Sequence, residues 1–174
     1  MREFLFAATI AAVAVLGCCA PGLAQEDADQ KLGTVHFATS CNETAQRRFD
    51  RAMRYQHSFW YSESKEIYEE AIKADPECAI AYWGIALSLL NNPHGAIPAP
   101  NLPPGLSAIE KAKAVGARTE RERDYIDALA VMYLDYDKTP QQVRVQSYLD
   151  ALRREAKVTD NRAVILKPQA QAGQ

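Results

Sequence analysis

The pattern around Arg48, Arg51, Ala52 and Tyr55, followed by Ser64, Tyr68, Ala71 and Pro76, begins again at Tyr82, Ile85, Ala86 and Leu89. Ala52 to Ala86 and Tyr55 to Leu89 are each about 34 residues apart. A repeat of that length is one helix–turn–helix unit. Such a unit cannot bury its apolar face alone, so it stacks on the next. Arrays of this kind more often bind than catalyse. The 174 residues are enough for one modest domain.

Helical spacing of apolar residues, with caps and breakers between, predicts six helices, or three antiparallel pairs. Ser40 and Glu43 have capping-box spacing for the first. Phe49, Ala52, Met53 and Gln56 follow at helical intervals. A break around 59–62 precedes a second helix with Ile67, Tyr68, Ala71 and Ile72 on one face, ended by Asp75-Pro76. The third, at about 76–90, is apolar on nearly every side. It should therefore be buried at the centre of the domain.

Residues 91–105 hold Pro93, Pro98, Pro100, Pro103 and Pro104 and predict an ordered, proline-rich strap. A fourth helix is expected at about 106–115, stopped by Gly116. Thr119 and Glu122 form another capping box, opening a helix to about Tyr136. Thr139-Pro140 opens the last, with Val143, Val145, Tyr148, Leu149 and Leu152 on one face as a lid. The array thus spans 40–157, after a flexible lead-in at 25–39 and before a loose tail at 158–174.

Residues 1–24 read as an export signal: Arg2, a short apolar core from Phe4 to Leu16, then Gly22-Leu23-Ala24 before a cleavage point. The expected location is the periplasm or the exterior. A rival reading takes Val15-Leu16-Gly17-Cys18 as a loose lipobox, with a lipid anchor on Cys18. Cleavage after Ala24 leaves Cys41 and Cys78. An even pair in an exported chain suggests a disulfide, the alternative being two small buried thiols.

The segments Val35-His36-Phe37, Thr39-Ser40-Cys41-Asn42, His57-Ser58-Phe59-Trp60-Tyr61, Asp75-Pro76-Glu77-Cys78-Ala79, Ala81-Tyr82-Trp83-Gly84-Ile85-Ala86 and Arg121-Glu122-Arg123-Asp124-Tyr125-Ile126 resemble bacterial exported tetratricopeptide-repeat (TPR) proteins of poorly defined function. The resemblance covers 33–156. It implies an all-α, TPR-like α-solenoid outside the cytoplasm and no catalytic residues. Those proteins look longer, with further repeats. Arg48 and Arg51 stand where an aromatic and a leucine are usual, and Ser64 where an alanine is. The first helix is therefore expected to face solvent, or a missing partner, more than a mid-array helix would.

In such arrays the first helix of each pair lines the concave face. That places Phe49, Met53, Gln56 and His57, then Trp83, Leu87, Leu90 and Asn91, in a largely apolar groove. The groove suits a polypeptide partner if open. If the strap folds back into it, Trp83 and Leu87 are simply core. A net charge of −2 argues against a general nucleic-acid or membrane-surface binder. His36, His57 and His94 match no zinc spacing, and no phosphate loop or nucleophile elbow is present. No cofactor and no enzyme activity is expected. The alternative is a small-ligand, metal or haem carrier built on His57, Trp60 and Trp83.

Overall fold

A computed structural model describes residues 32–158, His94 apart. The expected export signal, the Cys18 anchor and the tail beyond Val158 lie outside the described residues. These fold into helices α1 (Glu43–His57), α2 (Tyr61–Ala74), α3 (Ala79–Leu89), α4 (Leu102–Val115), α5 (Glu120–Ala130) and α6 (Gln141–Val158), with a short 3-10 turn at Ala99–Asn101. No strand occurs among the described residues.

Each helix packs on the next, and α3 also touches α1 and α5. The apolar composition of α3 explains its place. Ile80, Ala81, Trp83, Gly84 and Ala86 are buried, while Tyr82, Ile85, Leu87 and Leu89 are covered only in part. Gly84 lies under the ring of Tyr68 from α2, and Gly105 of α4 lies under the ring of Tyr133. At both places the missing side chain lets an aromatic ring rest on a helix backbone. The Tyr133 hydroxyl then donates to the Ala86 carbonyl at 2.5 Å, tying the chain after α5 to α3.

Several boundaries differ from expectation. The box at Ser40 does not form, because the Ser40 N–H and hydroxyl both go to Glu122. Asn42 caps α1 instead, accepting from Ala45 N at 2.9 Å. Helix α3 starts only at Ala79, since Asp75 is extended and Pro76 lies in the turn. Helix α4 begins at Leu102 rather than near 106. Pro103 and Pro104 fit its first turn, where a missing N–H has no intrahelical acceptor to lose. Gly116, at φ 81°, ends it as expected.

Helix α5 stops at Ala130, short of Tyr136, and tight turns follow with Asp135 at φ 50°. Buried Arg144 binds these turns, donating to the carbonyls of Met132 and Thr139. Its charged head caps carbonyls that the turns leave free. The lid is correspondingly partial. Ala151 is buried and Val145 and Tyr148 pack on the core, whereas Val143 and Leu149 are exposed. Among the described residues no helix is long and apolar enough to cross a membrane.

Candidate functional site

The face formed by α1, α3 and α5 is occupied by the chain's own lead-in. Phe37 is 2% exposed. Its ring centroid is 5.5 Å from that of Phe49 on α1, 6.4 Å from Trp83 on α3 and 5.3 Å from Tyr125 on α5. The Arg121 guanidinium sits 4.0 Å over the same ring. Quadrupole attraction between tilted rings and a cation over a ring face favour this cage.

Side chains of the helices also read the lead-in's backbone. Asp50 accepts from Phe37 N at 3.0 Å and pairs with His36 Nδ1 at 2.7 Å. The Gln46 amide binds on both sides of one residue, donating to Phe37 O at 2.9 Å and accepting from Thr39 N at 2.7 Å. Glu122 of α5, 1% exposed, takes Ser40 N and Ser40 Oγ on its two oxygens, each at 2.7 Å. Arg118 donates to Ser40 O at 2.8 Å. Cys41 then forms a disulfide with Cys78, just before α3, pinning the end of the segment. Constraining a loop of this length stabilises a fold by about 4 kcal/mol in the chain-entropy model.

This changes the status of the expected groove residues. Phe49, Met53 and Trp83 are buried, Met53 accepting a hydrogen bond from the Tyr68 hydroxyl. Gln56 accepts from Ser88 at 2.8 Å, part of a polar seam in which Ser64 donates to Ala52 O at 3.0 Å. Ser64 thus replaces an alanine without leaving its hydroxyl unpaired. Leu87 is half-buried, and His57 and Asn91 are exposed. Helix α1, expected to face solvent or a missing partner more than a mid-array helix, is covered by the lead-in at Phe49, and Arg48 donates to Glu70 O on α2. The lead-in, expected as flexible over 25–39, is firmly held from His36 onward. The proline-rich strap does not fill the groove. Ile97 tucks into the core, its N–H donates to Gln141 at 2.9 Å, and Gln141 returns a bond to Gly95 O. The strap leans on the start of α6.

Two buried donors beside the Phe37 cage, Trp83 Nε1 and Arg121 Nε, have no hydrogen-bond partner. Groups of this kind are uncommon in native interiors and call for an acceptor, such as a carbonyl or carboxylate oxygen or a water.

At the α1–α2 elbow, Phe59, Trp60 and Tyr61 line a cleft of about 480 Å3 together with Asn91 and Asn101. Helix α1 ends in a Schellman motif: Trp60 N donates to Tyr55 O at 3.0 Å and Phe59 N to Gln56 O at 3.2 Å. The motif demands a left-handed residue where glycine is usual. Phe59 occupies it at φ 64°. Bulky residues are rare there, and the conformation costs about 1–2 kcal/mol. Trp60 makes the accompanying contact with Tyr55, ring centroids 5.6 Å apart. Even so, Phe59 is 65% and Trp60 47% exposed.

The expected carrier set does not converge, because Trp83 is buried in the inner cage and Trp60 is exposed at the elbow. Among the described residues no cluster of His, Cys, Asp or Glu could hold a metal ion. Comparison with known proteins yields no match to a family model, a curated protein or a solved structure.

Proposed function

We propose that the chain is an exported, TPR-like interaction module whose inner face receives an extended polypeptide segment, and that its own residues 34–40 occupy that face at rest. Sequential packing of the helices, with α3 against four others, supports the stacked-pair reading. The observation that carries the functional reading is the way the lead-in is held. Asp50, Gln46, Glu122 and Arg118 bind its backbone, and one aromatic pocket takes Phe37. Backbone-directed bonds tolerate many sequences, while a pocket supplies selectivity. The unpaired Trp83 Nε1 and Arg121 Nε would suit a partner's carbonyl oxygens.

A tethered segment acts at about millimolar effective concentration, so a partner must bind well enough to displace it. The test uses full-length Phe37→Ala protein and a synthetic peptide spanning 33–40. Saturable binding of that peptide, followed by tryptophan fluorescence, is expected. It should be weaker to the wild-type chain and absent for a peptide with alanine at the phenylalanine. Equal binding of both peptides, or of neither, would refute the reading.

A further inference from the structure

Phe59 stands at the one position of the α1 terminus that local physics reserves for glycine, and its ring is mostly in solvent. Its ring meets that of Tyr61 edge-on, at 6.2 Å between centroids. Folding gains little from such a residue. Backbone strain of this kind concentrates at ligand sites, where the surrounding structure holds it. The lining includes another left-handed residue, Asn91, at φ 62°. Its side chain is exposed beside the aromatic rings. The volume, about 480 Å3, is in the range of small-ligand clefts.

The chemistry of the lining selects among ligands. Asn91 and Asn101 offer amides; Asn101 spends its Nδ2 on Leu89 O, which leaves its carbonyl oxygen to accept. Ser62 adds a hydroxyl and Glu63 a carboxylate, both exposed. Lys65 brings the one cation in this lining and is already paired with Glu69 at 2.6 Å. An anionic ligand is therefore not favoured, and a wholly apolar one would strand the polar groups. A neutral sugar ring answers both needs. Its C–H face stacks on an aromatic ring, and its hydroxyls donate to carboxylate or amide oxygens and accept from amide N–H.

We infer that the elbow cleft between Phe59-Trp60 and Asn91 is a binding site for a short neutral saccharide. The site is separate from the inner face and does not rest on the function proposed for it. The chain has two tryptophans. Trp83 is buried, so a ligand at the cleft reports through Trp60.

The experiment titrates the full-length protein with cellobiose and with N,N′-diacetylchitobiose while recording tryptophan fluorescence. A saturable change with at least one disaccharide is expected, lost in Trp60→Phe. Glu63→Ala should weaken it about tenfold, as for one lost ligand contact. Phe59→Gly is the decisive variant. It should unfold at higher denaturant than the wild type, because glycine suits the left-handed position, yet bind about tenfold more weakly or worse. No saturable response to either sugar would overturn the inference. So would a Phe59→Gly protein that binds like the wild type, or one that is destabilised. A response to an oligoproline peptide in place of the sugars would assign the cleft to another ligand class and overturn it equally.

Discussion

Truncating Phe37 to alanine should destabilise the domain by about 3–5 kcal/mol, the range for removing a fully buried phenylalanine. The structure sets the expectation. The ring is 2% exposed and touches residues from α1, α3 and α5 at once, so its loss opens a void that no single helix can close by shifting. It also leaves the Arg121 guanidinium without the ring face beneath it, a contact worth about 1–2 kcal/mol when desolvated. These contributions overlap and do not add. Against a typical domain stability of about 5–15 kcal/mol, the effect is large. Urea denaturation followed by tryptophan fluorescence measures it, since Trp83 is stacked against Phe37. The midpoint should fall sharply with the slope nearly unchanged. Phe37→Leu should recover part of the loss, because it refills volume without the aromatic contacts. A cost below about 1 kcal/mol for alanine, the level of ordinary surface substitutions, would mean that the lead-in is a loose arm and the filled inner face is wrong.

Gly84→Ala would push a methyl group into the buried ring of Tyr68, and overpacking of this sort costs about 1–3 kcal/mol; thermal unfolding by circular dichroism should show a clear drop in Tm, and an unchanged Tm would refute the close approach. Stability should also fall in alkali. Burial raises the pKa of Tyr68, Tyr133 and Tyr148 above the ordinary 10.0, Tyr148 to about 12. Above pH 10 the unfolded chain releases these protons while the native state keeps them, so stability declines as pH rises, by about 1.4 kcal/mol per pH unit for each group. Urea midpoints at pH 9 and pH 11 check the decline, and tyrosinate absorbance should show these hydroxyls titrating late; ordinary titration of every tyrosine would contradict it.

Much of the helical framework was legible because its signals are local. Thr119 caps α5 and Gly116 ends α4 where their chemistry required. The period that relates Ala52 to Ala86 marks two positions that are both fully buried. Cys41 and Cys78 are paired, as cysteine parity suggested. The inner face was not legible, because what closes it is distant in sequence and has no period. Glu122 had a sufficient local explanation as part of a capping box, yet its carboxylate goes to Ser40, separated from it by 82 residues. Phe37 is one apolar residue in a short stretch, and helical spacing says nothing about it. The available hint was the excess of concave aromatics: Phe49 and Trp83, with few charges between them, needed cover from somewhere. The strap was the nearer candidate by composition, but its own polar backbone found Gln141 first.

The elbow runs the other way. His57-Ser58-Phe59-Trp60-Tyr61 was legible as a break between helices, and the helices do stop and restart there. A break made by Schellman geometry ordinarily shows a glycine, and this one shows none. The chain has 8 glycines and uses one at the end of α4, where Gly116 adopts φ 81°. Its absence at residue 59 is thus a local choice of the sequence, made against backbone preference and without compensating burial. Trp60 differs from Phe59 in this respect, since its edge contact with Tyr55 is part of the motif and accounts for its position. Of these two aromatics, Phe59 alone takes a left-handed backbone while its ring remains mostly in water. That asymmetry within one pair of aromatics locates the unexplained energy in the cleft wall rather than in the helix end. It is also why replacing Phe59 by glycine should move stability and binding in opposite directions.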